Sequence, residues 1–323
     1  MILVVSIPVH EKPDVIKNQI SNFQKYIPGV VIVLHVSKGF LAKHRLDEIG
    51  EHSNVYINPE HLDTQWADII QTHISNYRYI RENLEFDYFV LHASNDMYIR
   101  YGFEKYVQQY EAGFNIRKVV QKNSHWWPGN FALKDKKLKS IMDICGQNMI
   151  IASQVESSFY SKALMERIYT IIEPFCSERS ADLIYPREEI YFSTVASSTV
   201  SWDKIGFTTT FSEVHRFDRR LWKIKNIMRT IFWRWKLSFF VSEKVYFRIE
   251  ELCNTLLFNM RFYKTTIGII KKLLDQNEAY IKKNSFLNDG SGQFQLYNKD
   301  IFSVKRINRD IKDPVRRYIT NLP

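Results

Sequence analysis

Two apolar runs flanking a helical stripe open this chain, and together they restrict it to folds built on a parallel sheet. Ile2 to Val9 is apolar almost throughout and gives way to a polar stretch at His10, as a strand covered on both faces does. The period then changes. Ile16, Ile20, Phe23 and Ile27 fall 4, 3 and 4 residues apart, which lines one face of a helix. Pro28-Gly29 stops that helix, and Val30 to Val36 reads as a second buried strand. Asn54 to Ile57 reads as a short third strand. A β-α-β opening with short loops implies an α/β fold with parallel strands.

A second helix is expected from Thr64 to Asn83, with Ile70, His73, Tyr77 and Ile80 on its packed face. Tyr88 to Leu91 comes next as another buried strand and runs into Ser94-Asn95-Asp96, residues that favour a turn. In an open α/β sheet, ligands bind beyond the carboxyl ends of the strands. Asp96 is therefore a candidate site carboxylate, against the alternative of a solvated turn residue. Further on, short helices are expected at Gly102–Tyr110 and Leu138–Cys145, a strand at Lys118–Gln121, and a helix from Ser161. His125-Trp126-Trp127-Pro128-Gly129 is an aromatic loop. Trp126 and Trp127 either stack on a sugar or base, or are buried.

Charge divides the chain. Residues 215–323 carry 23 Lys and Arg against 10 Asp and Glu, leaving 22 against 25 in the rest of a chain whose net charge is +10. The basic third calls for an anionic partner, whether nucleotide diphosphate, lipid or nucleic acid, or is a solvated surface. Within it, Leu221, Ile224, Met228, Ile231 and Trp235 form a helical stripe with Lys225, Arg229 and Lys236 off it. Such a helix either lies on an anionic membrane or docks on the body of the protein. Helices are also expected over Ser242–Phe258 and Thr265–Lys283. The basic residues after the Asn288-Asp289-Gly290-Ser291-Gly292 turn are expected to be loosely held.

Several chemistries are excluded. Cys145, Cys176 and Cys253 are far apart and form no CxxC or Cys/His cluster, which argues against zinc and disulfides. The sequence has no GxGxxG, P-loop, GxSxG or HExxH pattern. It shows no signal-peptide pattern and no run of about 18 uncharged apolar residues. The expected location is cytoplasmic, with peripheral contact at the inner face of the cell membrane.

Five segments, in order, resemble glycosyltransferase family 14, the core-2/I-branching N-acetylglucosaminyltransferases and peptide xylosyltransferases. Ile32-Val33-Leu34-His35-Val36-Ser37-Lys38 is similar to that family's strand ending in His-x-Asp-Lys. Gln65-Trp66-Ala67 resembles its Trp-Gly step, and Tyr88 to Arg100 its strand and Asp-containing turn. Ala152-Ser153-Gln154 with Phe159-Tyr160-Ser161 resembles Gly-Ser-Gln-Trp and the residues just beyond that motif. Pro186-Arg187-Glu188-Glu189-Ile190-Tyr191-Phe192-Ser193-Thr194 resembles Pro-Asp-Glu-x-[FY]-[FW]-x-Thr. The likeness covers residues 1–195. Ser37 replaces the family Asp, Tyr98 its Pro, and Val155 its aromatic.

The resemblance implies a GT-A-like fold, a Rossmann-like mixed sheet flanked by helices, over residues 1–220, with a basic, mainly helical region over 221–323. It implies inverting transfer from a nucleotide sugar, a UDP-sugar first, to a glycan or lipid-linked glycan. Glu189 matches the catalytic base and Glu188 the acid before it; taken alone, the pair reads first as two carboxylates at a helix N-terminus. Asp96 and Arg100 match donor-side residues. Family members hold the leaving diphosphate with basic side chains downstream of the catalytic Glu, so Arg216, Arg219, Arg220 and Lys223 are the expected clamp and no metal cofactor is needed. Two alternatives remain: a nucleic-acid-binding protein using the basic third, and a transferase of another GT-A family with a cation on Asp96.

Overall fold

A computed structural model describes residues 1–64, 68–114, 127–176, 185–207, 209–211, 265–275, 287–288, 294–295, 300–305 and 307–323. The strands are β1 (Leu3–Val9), β2 (Val31–Val36), β3 (Val55–Ile57), β4 (Tyr88–Leu91), β5 (Met97–Tyr98), β6 (Ala112–Gly113), β7 (Ser158–Ser161), β8 (Ile205–Gly206), β9 (Thr210–Phe211), β10 (Leu287–Asn288), β11 (Phe294–Gln295) and β12 (Ser303–Val304). The α-helices are α1 (Pro13–Tyr26), α2 (Lys38–Leu41), α3 (Ile70–Asn83), α4 (Phe103–Val107), α5 (Trp127–Ala132), α6 (Lys136–Ile144), α7 (Lys162–Ile172), α8 (Tyr191–Thr199), α9 (Ile267–Asp275) and α10 (Pro314–Thr320).

The main sheet runs β3-β2-β1-β4-β7-β6-β8. Its first four strands are parallel, whereas β7 is antiparallel to both β4 and β6. The fold is thus α/β with a mixed sheet flanked by helices, compatible with a Rossmann-like architecture. The opening β-α-β unit forms where the sequence places it. Pro13 stands at the start of α1, where its missing N–H costs nothing, and Gly29 takes a positive φ in the turn that leads to β2.

Alternation along the central strands feeds two cores. Val4, Val33, Phe89 and Leu91 face a cluster that includes Ile70, Ile74, Tyr77 and Ile80 of α3. Leu3, Val5, Ile7, Ile32, Leu34 and Val90 face a second cluster that includes Ile16, Ile20 and Phe23 of α1. α3 begins at Ile70 rather than at Thr64; residues 68–69 are not helical, and 65–67 lie outside the described residues. The strand expected at Lys118–Gln121 and the helix at Ser242–Phe258 also lie outside them, as does the boundary near residue 220.

The basic C-terminal residues that are described are not loosely held. β12 pairs antiparallel with β5 and parallel with β9 to make a second, three-stranded sheet. Ile301, Phe302, Val304, Ile307, Ile319 and Leu322 belong to the α1-side core. Arg316 on α10 is fully buried, and its guanidinium donates to Asn18 Oδ1 (2.8 Å) and to the carbonyl of Asn308 (3.1 Å). These apolar residues are spread thinly among charged and polar ones, so a window average hides them, yet each finds the same core. Ile319→Ala should therefore cost about 2–5 kcal/mol in urea unfolding; a loss under about 0.5 kcal/mol, as at a surface site, would remove α10 from the core.

Candidate functional site

The strand order reverses direction between β1 and β4, since β1 leads outward through β2 to β3 and the chain then returns to β4. In open α/β sheets, a reversal of this kind marks the place, at the carboxyl ends of the strands, where ligands bind. His10 and Glu11 lie just past β1, Ser37 just past β2, and residues 92–96 just past β4. Ser37 caps α2 by accepting the Phe40 N–H.

Asp96 lies inside the protein, not on the rim. Its Oδ2 accepts the Ala93 N–H (3.0 Å) and the His92 Nδ1–H (3.1 Å), and His92 Nε2 accepts from the Tyr98 hydroxyl (2.9 Å). Burial pushes the Asp96 carboxyl up from its ordinary value, and the His92 hydrogen bond works against that push. Asp96 thus braces the turn after β4. Arg100 is half-buried and donates to the carbonyl of Leu273 in the last turn of α9, where positive charge is favoured.

Glu188 and Glu189 share a short 3-10 turn, Arg187–Glu189, just before α8. Three sets of contacts fix it. Tyr185 and Tyr191, on either side, both donate their hydroxyls to Asp135 at the start of α6. Arg187 is buried and paired with Asp68, which lies just before α3. The carbonyl of Glu189 accepts the Ser153 N–H at 2.6 Å, while Ser193 Oγ donates to the carbonyl of Ile151 at 2.6 Å. The 151–157 segment in turn reaches the end of β4, where the Ser157 N–H donates to the Leu91 carbonyl at 2.6 Å. Glu188 is 5% exposed, and its Oε2 has no hydrogen-bond partner among the described residues; Glu189 is half-buried. Burial first, then the neighbouring Glu189, pushes Glu188 up to about 8, against its own backbone N–H. The two carboxyls are thus placed in unlike environments.

The C-terminal segment brings cations to the same edge. Lys305, next to β12, pairs with Glu156 at 2.9 Å, and Arg309 pairs with Glu11 at 2.8 Å. Glu11 is also 3.5 Å from the Ser94 hydroxyl, which donates to it. Neither Lys305 nor Arg309 is singled out by the sequence, because each sits in a run of basic residues with no motif around it. Only β12 and the turn after it show where they go.

Of the sequence candidates, the structure links the Glu188–Glu189 turn to residues 151–157 and through them to the end of β4. Arg216, Arg219, Arg220, Lys223 and Trp126 lie outside the described residues; Trp127 opens α5, and its side chain also lies outside them. Among the described residues, no group of three or more His, Cys, Asp and Glu is placed to hold a metal ion, and no helix is long and apolar enough to cross a membrane. The chain matches no protein-family model and no curated protein sequence.

The Asp68–Arg187 pair makes a stability prediction. Asp68→Asn removes the counter-charge of a buried guanidinium and should cost about 3–5 kcal/mol in urea unfolding. Asp68→Asn with Arg187→Met should cost less than Asp68→Asn alone; a larger cost for the double variant would mean that Arg187 does not depend on Asp68.

Proposed function

We propose that the chain is an inverting glycosyltransferase that moves a sugar from a nucleotide-sugar donor, a UDP-sugar first, to a hydroxyl of a glycan or lipid-linked glycan. One observation carries the reading. Four segments far apart in sequence gather at the carboxyl edge of the sheet: the ends of β2 and β4, residues 151–157, and the Glu188–Glu189 turn, with the Ser153–Glu189 and Ser157–Leu91 hydrogen bonds joining the last three. These are the segments whose residues resemble the family 14 transferases, and a switch-point crevice suits a nucleotide. A GT-A fold is the finer reading of the mixed sheet on the same grounds.

The proposed chemistry assigns each group one role. Glu189 takes the proton of the acceptor hydroxyl as that oxygen attacks the anomeric carbon. The bond from that carbon to the diphosphate breaks on the opposite face, and its electron pair leaves with the diphosphate. Configuration inverts. Cations must balance the leaving group. Lys305 and Arg309 are two described residues of the C-terminal segment that bring positive charge to this edge, each steadied by a carboxylate. They join the arginines expected near residue 216 as the clamp. Asp96, spent on the turn, is not assigned a cation.

Calorimetry with UDP tests the reading, in EDTA and again with manganese. Binding in EDTA is expected. Binding only with manganese would hand the diphosphate to a metal, and no nucleotide binding in either buffer would favour the nucleic-acid reading. Lys305→Ala with Arg309→Ala should weaken UDP by at least about tenfold, the loss of charged hydrogen bonds. Glu189→Gln should abolish transfer and leave UDP binding intact; full turnover in that variant would move the base elsewhere.

A further inference from the structure

Two carboxyl groups at this edge, Asp96 and Glu188, have a buried oxygen without a hydrogen-bond partner among the described residues, Oδ1 and Oε2 respectively. Asp96 is accounted for, because its other oxygen takes two donors and braces a turn. Glu188 is different. The cation beside it, Arg187, is engaged with Asp68 and with the carbonyl of Phe175. Among the described residues, the charged groups that act on it are Glu189 and Arg187 in its own turn and Asp68 ahead of α3. Two of those three are negative, and the positive one is already matched to a carboxylate.

An ionised carboxylate can only accept hydrogen bonds, whereas a protonated one also donates. A buried carboxyl oxygen with no described donor facing it and a second carboxylate next door favours the protonated form. We propose that Glu188 is a neutral carboxylic acid that donates a hydrogen bond to an uncharged oxygen of the bound sugar, while Glu189 is the ionised base. The two glutamates then divide the work: one holds a hydroxyl or ring oxygen, and the other removes a proton. The ligand half of this rests on the transferase reading; the charge state does not. Burial lifts Glu188 to about 8, which keeps it protonated at neutral pH.

Glu188 titrates near 4.5 when unfolded and near 8 when folded, so the folded chain holds the proton more tightly. Its contribution to stability is fully present below about pH 4.5, declines as pH rises, and levels off above about pH 8. Glu188→Gln keeps the shape and the donor but cannot ionise. Urea unfolding of both chains from about pH 5 to about pH 9 should show the wild type losing stability relative to Glu188→Gln, by roughly 100-fold or more in the folding constant. Asp96 and Glu11, also raised by burial, are common to both chains and cancel. Parallel curves would overturn the proposal. Difference infrared spectra give a second readout that needs no unfolding: a protonated-carboxyl band, absent from Glu188→Gln, should vanish as pH passes about 8. Its absence from the wild type at neutral pH would also overturn the proposal.

Activity tests the ligand half. With a UDP-sugar as donor, Glu188→Gln, which keeps a hydrogen-bond donor, should retain measurably more turnover than Glu188→Ala and should lack the wild type's decline above about pH 8. A Glu188→Gln variant as inactive as Glu188→Ala would overturn the donor role. Stability curves that separate in a chain that binds no UDP would leave the neutral acid in place and overturn the sugar as its ligand.

Discussion

The parallel pairing of β1 with β4 is the constraint on which the remaining structure depends. β1 is buried over its whole length and lies between β2 and β4. Its alternate residues face α3 on one side and α1 on the other, so a slip of one residue would exchange the two cores. Each fully buried Val, Leu or Ile is worth about 1.5–3 kcal/mol, which makes that register costly to change. The same pairing puts the ends of β1 and β4 side by side, at the edge where the later segments make their contacts.

Polar groups fix how α3 sits on this sheet. Asn76 donates to Ser6 Oγ at 3.0 Å, and Ser6 donates to His73 Nδ1 at 2.8 Å. His35, on β2, accepts the Leu62 N–H through Nε2. Burial pulls His73 down to about 3 and His35 down to about 4, so both imidazoles are neutral near neutral pH. Such bonds add direction to a seam that apolar contacts alone would leave free to slide.

The parts of the fold that were legible in the sequence are those where one face of an element is apolar over several turns or alternate positions. β1, α1, β2 and β4 fall within a residue or two of where the pattern puts them. Helical period does not mark that residues 68–69 stand outside the helix, because Asp68 is turned to Arg187, a partner 119 residues away. The tail misled for a related reason. Ile301, Val304, Ile307 and Ile319 are too sparse to register as a stripe, and their burial depends on pairing with β5. At the site, adjacent glutamates mark a pair of carboxyls but not their difference. Only the fold shows that Glu188 is enclosed, that Glu189 is less so, and that Asp96 is turned inward.

β12 meets β5 across about 200 residues of chain, and at roughly 5–20 residues per second that interval is about 10–40 s of synthesis. During that time α1 and the turn after β4 are made, but Ile301, Phe302, Val304, Ile319 and Leu322, which complete their core, are not. The half-finished sheet leaves the ribosome with an apolar face uncovered and with Glu11 and Glu156 lacking Arg309 and Lys305. Completion of this core therefore waits until residues 301–322 have been made, and until then the growing chain is one that a holding chaperone would be called on to shield.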